Sequence, residues 1–277
     1  NRMPFKSLVV WNAMIAVFSQ NNRSKDALRL YKQMHLEGLK PDKSTYTTLL
    51  DACANLASIE EGQDVYRAVV CHQHDEDILL CNSLISFYGE CGGMDEARKV
   101  FDRMLHRDRI SWTAIMTASV QNGQSMEALR LFQLMQLQGF QPDDVTFISI
   151  LTGCGRSGLL EEGVHFFVSM NKDHGIAPSG EHYLCMIYLL ARAGRLDDAE
   201  ELIENVPSGK VGMAWLSLLG ACKFHYDIER GFKAAENCVK FIPGKVLSYI
   251  LLSNLYAEDQ MWPTNVLSNV IVDPTMS

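Results

Sequence analysis

The stretch Val10-Trp11-Asn12-Ala13-Met14-Ile15 opens a segment with apolar residues at helical spacing, and segments of the same kind return along the chain. Each carries an aromatic residue near its start, except one that has a cysteine, and successive spacings are 35, 35, 31, 35, 36, 32 and 34 residues. The positions are Trp11, Tyr46, Cys81, Trp112, Phe147, Tyr183, Trp215 and Tyr249. A period in this range is typical of stacked helix-pair repeats. The sequence therefore predicts a repeat protein rather than one globular core.

Each repeat is predicted to be a helix, a short polar turn and a second helix. In the first repeat the apolar pattern runs from Trp11 to Gln20, is interrupted by Asn21 and Asn22, and resumes at Ala27. This pattern predicts an all-α solenoid of helix-turn-helix repeats, in which each repeat packs only on its neighbours.

Recurring residues mark the ends of the second helices. Ser24 and Ser125 stand just before them, where a hydroxyl can cap free backbone N–H groups. Gly38, Gly139 and Gly175 follow them, where a left-handed residue can end a helix. We therefore expect serine caps at the start of these helices and glycine caps at their end.

Placing the recurring aromatic at the fourth position divides the chain into consecutive repeats. The first seven residues match the segment from Asp102 to Asp108 in placement, so they are predicted to be the tail of an upstream repeat. They contain neither an initiator Met nor a signal-like segment, and we expect any targeting sequence to lie outside this chain. The predicted repeats are 8–42, 43–77, 78–108, 109–143, 144–179, 180–211, 212–245 and 246–277.

Composition narrows the class of protein. The formal net charge of -8 argues against indiscriminate nucleic-acid binding, which depends on many basic residues, but allows base reading along a groove. No run approaches the roughly 18 to 20 apolar residues that cross a bilayer, so no membrane partner is expected. The eight cysteines form no CxxC motif and mostly occupy helical core positions, which predicts reduced thiols and an intracellular or organellar compartment.

These motifs resemble plant organellar pentatricopeptide repeat proteins of the PLS subclass, in which repeats of about 35, 36 and 31 residues alternate. The resemblance covers residues 1 to about 256. It implies a right-handed α-solenoid, or superhelix, located in a mitochondrion or chloroplast. The segments that carry it are Val10–Ile15, Gly38–Asp42, Cys81–Ile85 and Glu96–Asp102.

The resemblance also implies a type for each repeat. Residues 1–7 resemble the tail of an S-type repeat, 8–42 and 109–143 P-type, 43–77 and 144–179 L-type, and 78–108 and 180–211 S-type repeats. Residues 212–245 resemble a first E motif, and 246–277 a truncated or diverged second one. Pro263 falls where the final helix should begin or run, and no Lys or Arg follows it. This departure weakens the expectation that the end of the chain recruits a partner.

The rival family is the tetratricopeptide repeat, a hairpin of about 34 residues whose groove commonly binds peptides. That family favours a small residue four positions after the leading aromatic. Bulky residues fill this place here, at Ile15, Leu50, Ile85, Met116 and Leu151. They argue against tetratricopeptide packing.

Pentatricopeptide arrays read one RNA base per repeat through two or three side chains. By resemblance, the readers are the fifth and last residues of each repeat. In the four leading repeats the fifth residues are Asn12, Thr47, Asn82 and Thr113, and the last residues are Asp42, Asp77, Asp108 and Asp143. The resemblance implies U for Asn with Asp and G for Thr with Asp, with the L-type repeat 43–77 the weakest assignment.

A second set of residues is expected to flank the bases. The second residue of each repeat would supply this contact, at Val9, Ser44, Leu79, Ile110 and Val145. The alternative for these residues is that they simply start helices. The alternative for the readers is that Asn and Thr cap the first helix while Pro-Asp ends the second.

The next two repeats depart from the reading pattern. They pair Ile148 with Ser179 and Leu184 with Val211, so they should discriminate bases poorly. The predicted partner is therefore single-stranded RNA of sequence 5'-UGUGnn, lying parallel to the chain, and not DNA.

The resemblance implies a site-recognition factor for C-to-U RNA editing that recruits a cytidine deaminase in trans. The alternatives are an organellar RNA stability, splicing or processing factor, and a peptide-binding helical-repeat scaffold.

No catalytic residue, cofactor or metal site is predicted. A zinc deaminase needs an HxE motif with a later PCxxC; His35-Leu36-Glu37 fits the first part by chance and the second is absent. Cys71-His72-Gln73-His74 lacks a well-placed fourth zinc ligand. No phosphate-binding loop or GxSxG motif occurs.

Overall fold

The computed structural model describes residues 7–71, 76–244, 247, 250, 251 and 253. These residues form fourteen α-helices and no strand, which confirms the predicted all-α fold. The helices are α1 (Leu8–Gln20), α2 (Ser24–Leu36), α3 (Lys43–Asn55), α4 (Ile59–Cys71), α5 (Ile78–Glu90), α6 (Met94–Arg103), α7 (Arg109–Gln121), α8 (Ser125–Leu137), α9 (Asp144–Ser157), α10 (Leu160–Lys172), α11 (Gly180–Arg192), α12 (Leu196–Ile203), α13 (Val211–His225) and α14 (Ile228–Phe241).

The odd-numbered helices are the first helices of the repeats. Helices α1, α3, α5, α7, α9 and α11 begin at the residue that opens a predicted repeat, and α13 begins at Val211, one residue before the predicted start at 212. The assignment of repeat types stays a prediction. The segment after Gly244, which holds Tyr249 and the predicted second E motif, lies almost wholly outside the described residues.

The chain divides into two compact lobes, Asn1–Ser157 and Gly158–Ser277, called here the N-terminal and C-terminal lobes. In the N-terminal lobe each first helix packs on the next one, from α1 through α9, whereas α2, α4, α6 and α8 pack on first helices and not on each other within the described residues. In the C-terminal lobe α11 packs on α10, α12 and α13, and α13 packs on α14. The first helices of the N-terminal lobe therefore form a continuous layer.

Ion pairs link second helices whose backbones do not pack. The Arg98 guanidinium of α6 pairs with Glu127 of α8, and in the C-terminal lobe the Arg230 Nε of α14 lies 2.8 Å from a Glu200 carboxylate oxygen of α12. These repeats thus share a charged contact between their second helices.

The recurring aromatic residues are core residues in the N-terminal lobe. Trp11, Tyr46, Trp112 and Phe147 are at most 2% exposed, and Cys81 is also buried. The Trp112 ring meets Phe101 of the preceding helix edge-on, and Phe147 meets Phe132 in the same way, with centroids 5.0 and 5.7 Å apart. Such edge-to-face pairs stabilise the packing of each repeat on the next.

One backbone position between the two helices of each of the seven described repeats is left-handed. The residues there have φ between 49° and 81°: Asn22, Ala57, Gly92, Gly123, Gly158, Gly194 and Tyr226. Gly38, Gly139 and Gly175 are also left-handed and follow second helices, which confirms their predicted role. The chain therefore reverses direction by the same backbone geometry in each repeat.

The predicted serine caps are wrong. Ser24 and Ser125 are the first helical residues and are buried, and neither hydroxyl has a hydrogen-bond partner in the described structure. The capping positions belong to Arg23 and Gln124, whose side chains make no capping bond. The helices therefore begin one residue earlier than the capping argument assumed.

The prediction that most cysteines lie in the core is confirmed, since five of the eight are buried. None of the eight forms a disulfide in the described part of the chain, and the buried ones are Cys53, Cys81, Cys154, Cys222 and Cys238. Burial raises the pKa of Cys53 and of Cys222, each to about 12, which keeps these thiols protonated.

Candidate RNA interface

The exposed face of the first helices carries a row of apolar side chains. Val9, Leu79, Ile110 and Val145 are 75%, 58%, 61% and 50% exposed, and Ser44 is exposed as well. These are the residues predicted to flank RNA bases. Aliphatic side chains at the second position of successive repeats could contact planar groups lying between them.

The first predicted reading pair is hydrogen-bonded. Asn12 Nδ2 donates to Asp42 Oδ1 at 3.0 Å, although 30 residues separate them. The Thr45 hydroxyl lies 2.6 Å from Asn12 Oδ1 and 2.9 Å from Asp42 Oδ1. Asp42 is also the N-cap of α3, where it accepts from the Thr45 backbone N–H at 2.9 Å. The cap of one repeat therefore holds the fifth residue of the repeat before it.

The third repeat repeats this geometry. Asn82 Nδ2 donates to Asp108 Oδ1 at 3.2 Å, and Asp108 caps α7 by accepting from the Ser111 backbone N–H at 2.8 Å. Asn82 is only 6% exposed, and its Oδ1 has no hydrogen-bond partner within the described part of the chain. A buried amide oxygen without a partner is costly and rare. Its lone pairs can accept a hydrogen bond from a ligand that reaches it.

In the fourth repeat a hydroxyl joins the two predicted readers. Thr113 Oγ1 lies 2.9 Å from Thr146 Oγ1, whose hydroxyl donates to Asp143 Oδ1 at 2.7 Å. A hydroxyl has one proton, so Thr113 must be the donor to Thr146. Thr113 then keeps acceptor lone pairs for a ligand.

In the second repeat the two predicted readers are not joined by a hydrogen bond. The Thr47 hydroxyl donates to the Lys43 carbonyl at 3.0 Å, and no described bond joins Thr47 to Asp77. Asp77 caps α5 by accepting from the Leu80 backbone N–H at 3.2 Å. Leu80 occupies the place that Thr45, Ser111 and Thr146 hold in the other repeats, so the linking hydroxyl is missing. This is the repeat for which pairing was expected to be weakest.

Basic residues accompany the threonine readers. Lys43 forms an ion pair with Asp77, and Arg109 Nε lies 2.9 Å from Asp143 Oδ2. In the two asparagine repeats the first residue is apolar, at Leu8 and Ile78. The terminal carboxylate is therefore held by a cation where the reader is Thr and by the reader's own amide where it is Asn.

The capping carboxylates are held ionised. Burial acts to raise the pKa of Asp42 and of Asp108, but hydrogen bonds from the backbone and side chain of Thr45 or Ser111 and from the paired asparagine outweigh it and lower both pKa values. Burial also acts to raise the pKa of Asp77, but the hydrogen bond and the charge of the Lys43 ammonium outweigh it, so this pKa is lowered as well. These carboxylates stay charged at neutral pH.

A cleft of about 220 Å³ opens between α3, α5 and α7 at the third repeat. Asn82 lines it together with Leu79 and Ile110, the exposed aliphatic residues of two successive repeats. Asp51 and Glu90 line it as well; burial raises the pKa of both, and the Asp51 charge raises that of Glu90 further. The cleft therefore combines an unpaired acceptor, two aliphatic walls and two carboxylates.

The alternative, in which Asn and Thr cap the first helix and Pro-Asp ends the second, does not describe either set of residues. Asp42, Asp77 and Asp108 cap the next first helix, whereas Asn12, Thr47, Asn82 and Thr113 lie in the second turn of their own helices. Asp42 and Asp108 can both cap a helix and hold the reader, because one carboxylate oxygen accepts hydrogen bonds from the helix backbone and from the preceding asparagine.

Sequence reasoning missed the hydroxyl three residues after the aspartate and the basic first residue. The spacing Asp42-x-x-Thr45, repeated at Asp108 and Asp143, is a capping-box pattern that could have revealed the hydroxyl. The ion pairs of Lys43 and Arg109 span 34 residues and carry no local signal.

No other chemistry emerges in the described ranges. Among them, no group of three His, Cys, Asp or Glu residues could hold a metal ion, and no helix has the length and apolar character to cross a membrane. His72 and His74 of the histidine-rich segment lie outside the described residues.

Comparison with known proteins identifies the repeats. A model of the PPR repeat family matches residues 6–55 and 107–156, and a model of the PPR repeat matches residues 80–108, 145–174 and 181–208. The mitochondrial pentatricopeptide repeat-containing protein At2g03880 of Arabidopsis thaliana is 40% identical over 92% of this chain and 40% of its own length. The chloroplastic protein CRR2 of the same plant is 36% identical over 94% of this chain and 40% of its own length. The chain spans less than half of each relative.

Solved structures share the fold. The pentatricopeptide repeat protein PPR10, in complex with an 18-nt psaJ RNA element, superposes with a TM-score of 0.75 at 16% identity, over 93% of this chain and 38% of PPR10. A tetratricopeptide repeat protein from Parabacteroides merdae reaches 0.55 at 15% identity, over 90% of this chain and 98% of its own. These likenesses show an all-α helical-repeat solenoid and do not by themselves separate the two families. The repeat models make that distinction, and since they together match more than half of the residues, the chain belongs to the pentatricopeptide repeat family.

Proposed function

We propose that this chain binds single-stranded RNA and reads one base in each of its four leading repeats. The observation that carries the proposal is the cleft at the third repeat, which is lined by Asn82 and by the aliphatic side chains of Leu79 and Ile110, and the buried Asn82 amide oxygen has no hydrogen-bond partner in the described structure. Aliphatic walls suit the flat faces of a base, and a buried acceptor suits its edge.

The chemistry of the acceptor selects among bases. Uracil and guanine carry an N–H donor at the centre of their Watson–Crick edge, whereas cytosine and adenine carry an acceptor there. The Asn82 amide nitrogen is engaged by Asp108, which leaves the amide oxygen as the available acceptor of this side chain. An acceptor facing another acceptor loses its hydrogen bond, so U or G should bind better than C or A.

The threonine repeats support the same preference. Thr113 donates its proton towards Thr146 and Asp143, so it too presents an acceptor. Together with the reading pairs expected from the family, this supports the RNA sequence 5'-UGUGnn, with the second base the least certain because Thr47 and Asp77 are not joined. Ile148 and Leu184 offer no polar group for the last two bases.

The biological role that fits this reading is site recognition for C-to-U RNA editing in a plant mitochondrion or chloroplast, with a cytidine deaminase supplied in trans. The names of the relatives place them in these organelles, and PPR10 was solved with RNA. Disruption of the gene should abolish editing of one cytidine while leaving transcript ends unchanged. Altered transcript ends with intact editing would instead assign a processing or stability role.

Binding by the chain to two RNAs tests RNA reading directly. Affinity for 5'-UGUGAA should exceed affinity for 5'-AGAGAA by roughly tenfold or more, because two acceptor–donor pairs are lost, at about 1 kcal/mol each. Equal affinities would refute base reading. No binding to either RNA would instead favour a peptide-binding scaffold.

A further inference from the structure

A buried residue lies three positions after the terminal aspartate of each leading repeat, and its chemistry differs from repeat to repeat. It is the third residue of the following repeat and is called here the linking residue. The four linking residues are Thr45, Leu80, Ser111 and Thr146, and all are 0% exposed. Because solvent does not reach this place, a hydroxyl there bonds to protein groups. Any change of its partners therefore acts on the readers.

In the first repeat the linking hydroxyl reaches two acceptors. Thr45 Oγ1 is 2.6 Å from the amide oxygen of Asn12 and 2.9 Å from Asp42 Oδ1. A hydroxyl has one proton, so Thr45 can donate to only one of these oxygens at a time. The Asn12 oxygen therefore has a donor when no base is bound. When a base N–H reaches Asn12, the Thr45 hydroxyl can turn to Asp42.

In the third repeat the linking hydroxyl does not serve the reader. Ser111 Oγ donates to Asp108 Oδ1 at 2.9 Å, whereas the Asn82 amide oxygen has no partner within the described ranges. The two asparagine readers thus share the bond to aspartate but differ at the amide oxygen. Only the Asn12 oxygen has a protein donor to fall back on.

In the fourth repeat the linking hydroxyl acts in the opposite direction. Thr146 donates to Asp143 Oδ1 at 2.7 Å and therefore accepts the Thr113 proton, with the two hydroxyl oxygens 2.9 Å apart. A hydrogen bond to a carboxylate is stronger than one between neutral groups, so reversing this chain of bonds is costly. Thr113 is thereby held as an acceptor towards the base.

We propose that the linking residue sets how strictly each repeat selects its base: Thr45 relaxes selection by Asn12, and Thr146 enforces selection by Thr113. The proposal rests on the RNA-binding function argued above. Adenine presents an acceptor in place of the N–H of uracil or guanine. With adenine at the first nucleotide, Thr45 still donates to the Asn12 oxygen, which lessens the mismatch. With adenine at the fourth, Thr113 can donate to the base only by giving up its bond to Thr146.

Removing the two hydroxyls should therefore shift selectivity in opposite directions. The full chain, Thr45→Val and Thr146→Val are each titrated with 5'-UGUGAA, 5'-AGUGAA and 5'-UGUAAA. Thr45→Val should raise the preference for U over A at the first nucleotide by roughly three- to tenfold, and Thr146→Val should lower the preference for G over A at the fourth by a similar factor, because about one hydrogen bond is exchanged in each case. Leu80, buried at the same place, shows that the fold accepts an apolar linking residue.

Conservative variants separate this role from a purely structural one. Thr45→Ser and Thr146→Ser keep the hydroxyl and should keep the preferences of the unaltered chain. Thr48→Val removes a hydroxyl that donates to the Ser44 carbonyl of its own helix, and it should change neither preference. A loss of stability would weaken binding to all three RNAs alike and leave the ratios unchanged.

The outcomes distinguish this proposal from base reading in general. If the unaltered chain discriminates between the RNAs but the two valine variants shift neither preference, or shift both in the same direction, the linking residue does not set selection. If the unaltered chain binds all three RNAs equally, base reading itself is refuted and this proposal with it. Opposite shifts that the serine variants abolish would establish the linking residue as a positioning residue of the reading site.

Discussion

At the scale of single residues, one carboxylate in each of the two asparagine repeats has two roles. Asp108 caps α7 and at the same time holds the Asn82 amide, so folding of one repeat positions the reader of the previous one. Capping aspartates are ordinary features of helices. What distinguishes this chain is that the cap is shared across the boundary between repeats, which links the local geometry of the backbone to the site.

Substituting Asp108 should reveal both roles. Asp108→Ala should destabilise the fold by about 1 to 2 kcal/mol, because the cap is lost and the Asn82 amide is left unpaired. Asp108→Asn should cost less, because an amide oxygen can still accept both bonds. Urea denaturation measures the difference, and equal stability of all three proteins would contradict the shared cap.

The same carboxylates predict the acid limit of stability. The pKa values of Asp42, Asp77 and Asp108 are lowered on folding, so their contribution is complete above the ordinary aspartate pKa of about 4 and is lost as the pH falls below it. The stability difference between the unaltered chain and Asp108→Asn should therefore shrink between about pH 4 and pH 2. A difference that stays constant over this range would contradict the assigned charge.

RNA affinity should increase as the pH falls, whereas the stability of the fold should decrease. Burial raises the pKa of Asp51 and Glu90 in the cleft, and nearby phosphates would raise both values further, so binding takes up protons and strengthens as the pH falls from 7 towards 5. Glu90→Gln should raise affinity at pH 7 by roughly two- to tenfold and flatten the pH profile. Asp95→Asn, an exposed acid of α6 outside the cleft lining, is the matched control.

At the scale of elements, the turn between the two helices of each repeat is one backbone geometry filled by different residues. Five residues of the seven are Gly or Asn, which tolerate φ above zero, whereas Ala57 and Tyr226 do not. The repeats that contain them fold because packing of the flanking helices outweighs the local cost.

Exchanging these residues should therefore shift stability in opposite directions. Ala57→Gly should stabilise the chain by about 0.5 to 1 kcal/mol, since the left-handed cost of Ala exceeds the extra chain entropy of Gly. Gly123→Ala should destabilise it by about 1 kcal/mol for the same reason. A Cβ on Gly123 would meet no atom within 4 Å, so the effect is purely that of the backbone. The urea midpoints of the two variants measure these shifts. If both midpoints moved in the same direction relative to the unaltered chain, the left-handed backbone cost would be refuted.

Helix placement was largely predictable and side-chain linkage was not. The period of the buried aromatic residues predicts where the first helices begin, because helix starts and core residues repeat together. The serine caps failed, since Ser24 and Ser125 serve as small buried residues and the helix-starting bonds come from the backbone. The Lys43–Asp77 ion pair and the Asn12–Asp42 hydrogen bond join residues about one repeat apart, and only the packed structure brings them together.

At the scale of the whole molecule, the net charge of -8 sets the kind of RNA binding to expect. Few cations line the first helices of the N-terminal lobe, and Lys43 and Arg109 are engaged by aspartates. Binding should therefore depend on stacking and base edges more than on phosphates. The logarithm of affinity should fall only shallowly with the logarithm of salt, with a slope of about -1 to -3.

The most direct test of base reading is an exchange of specificity at the third nucleotide. The chain and its Asn82→Thr variant are titrated with 5'-UGUGAA and 5'-UGGGAA, and Asn171→Thr, an exposed asparagine on α10, is the control. By the reading pairs expected from the family, the unaltered chain and the control should prefer U, and Asn82→Thr should shift the preference towards G by roughly fivefold or more, or about 1 kcal/mol. An unchanged preference for U in Asn82→Thr would contradict the assignment of Asn82 as the reader.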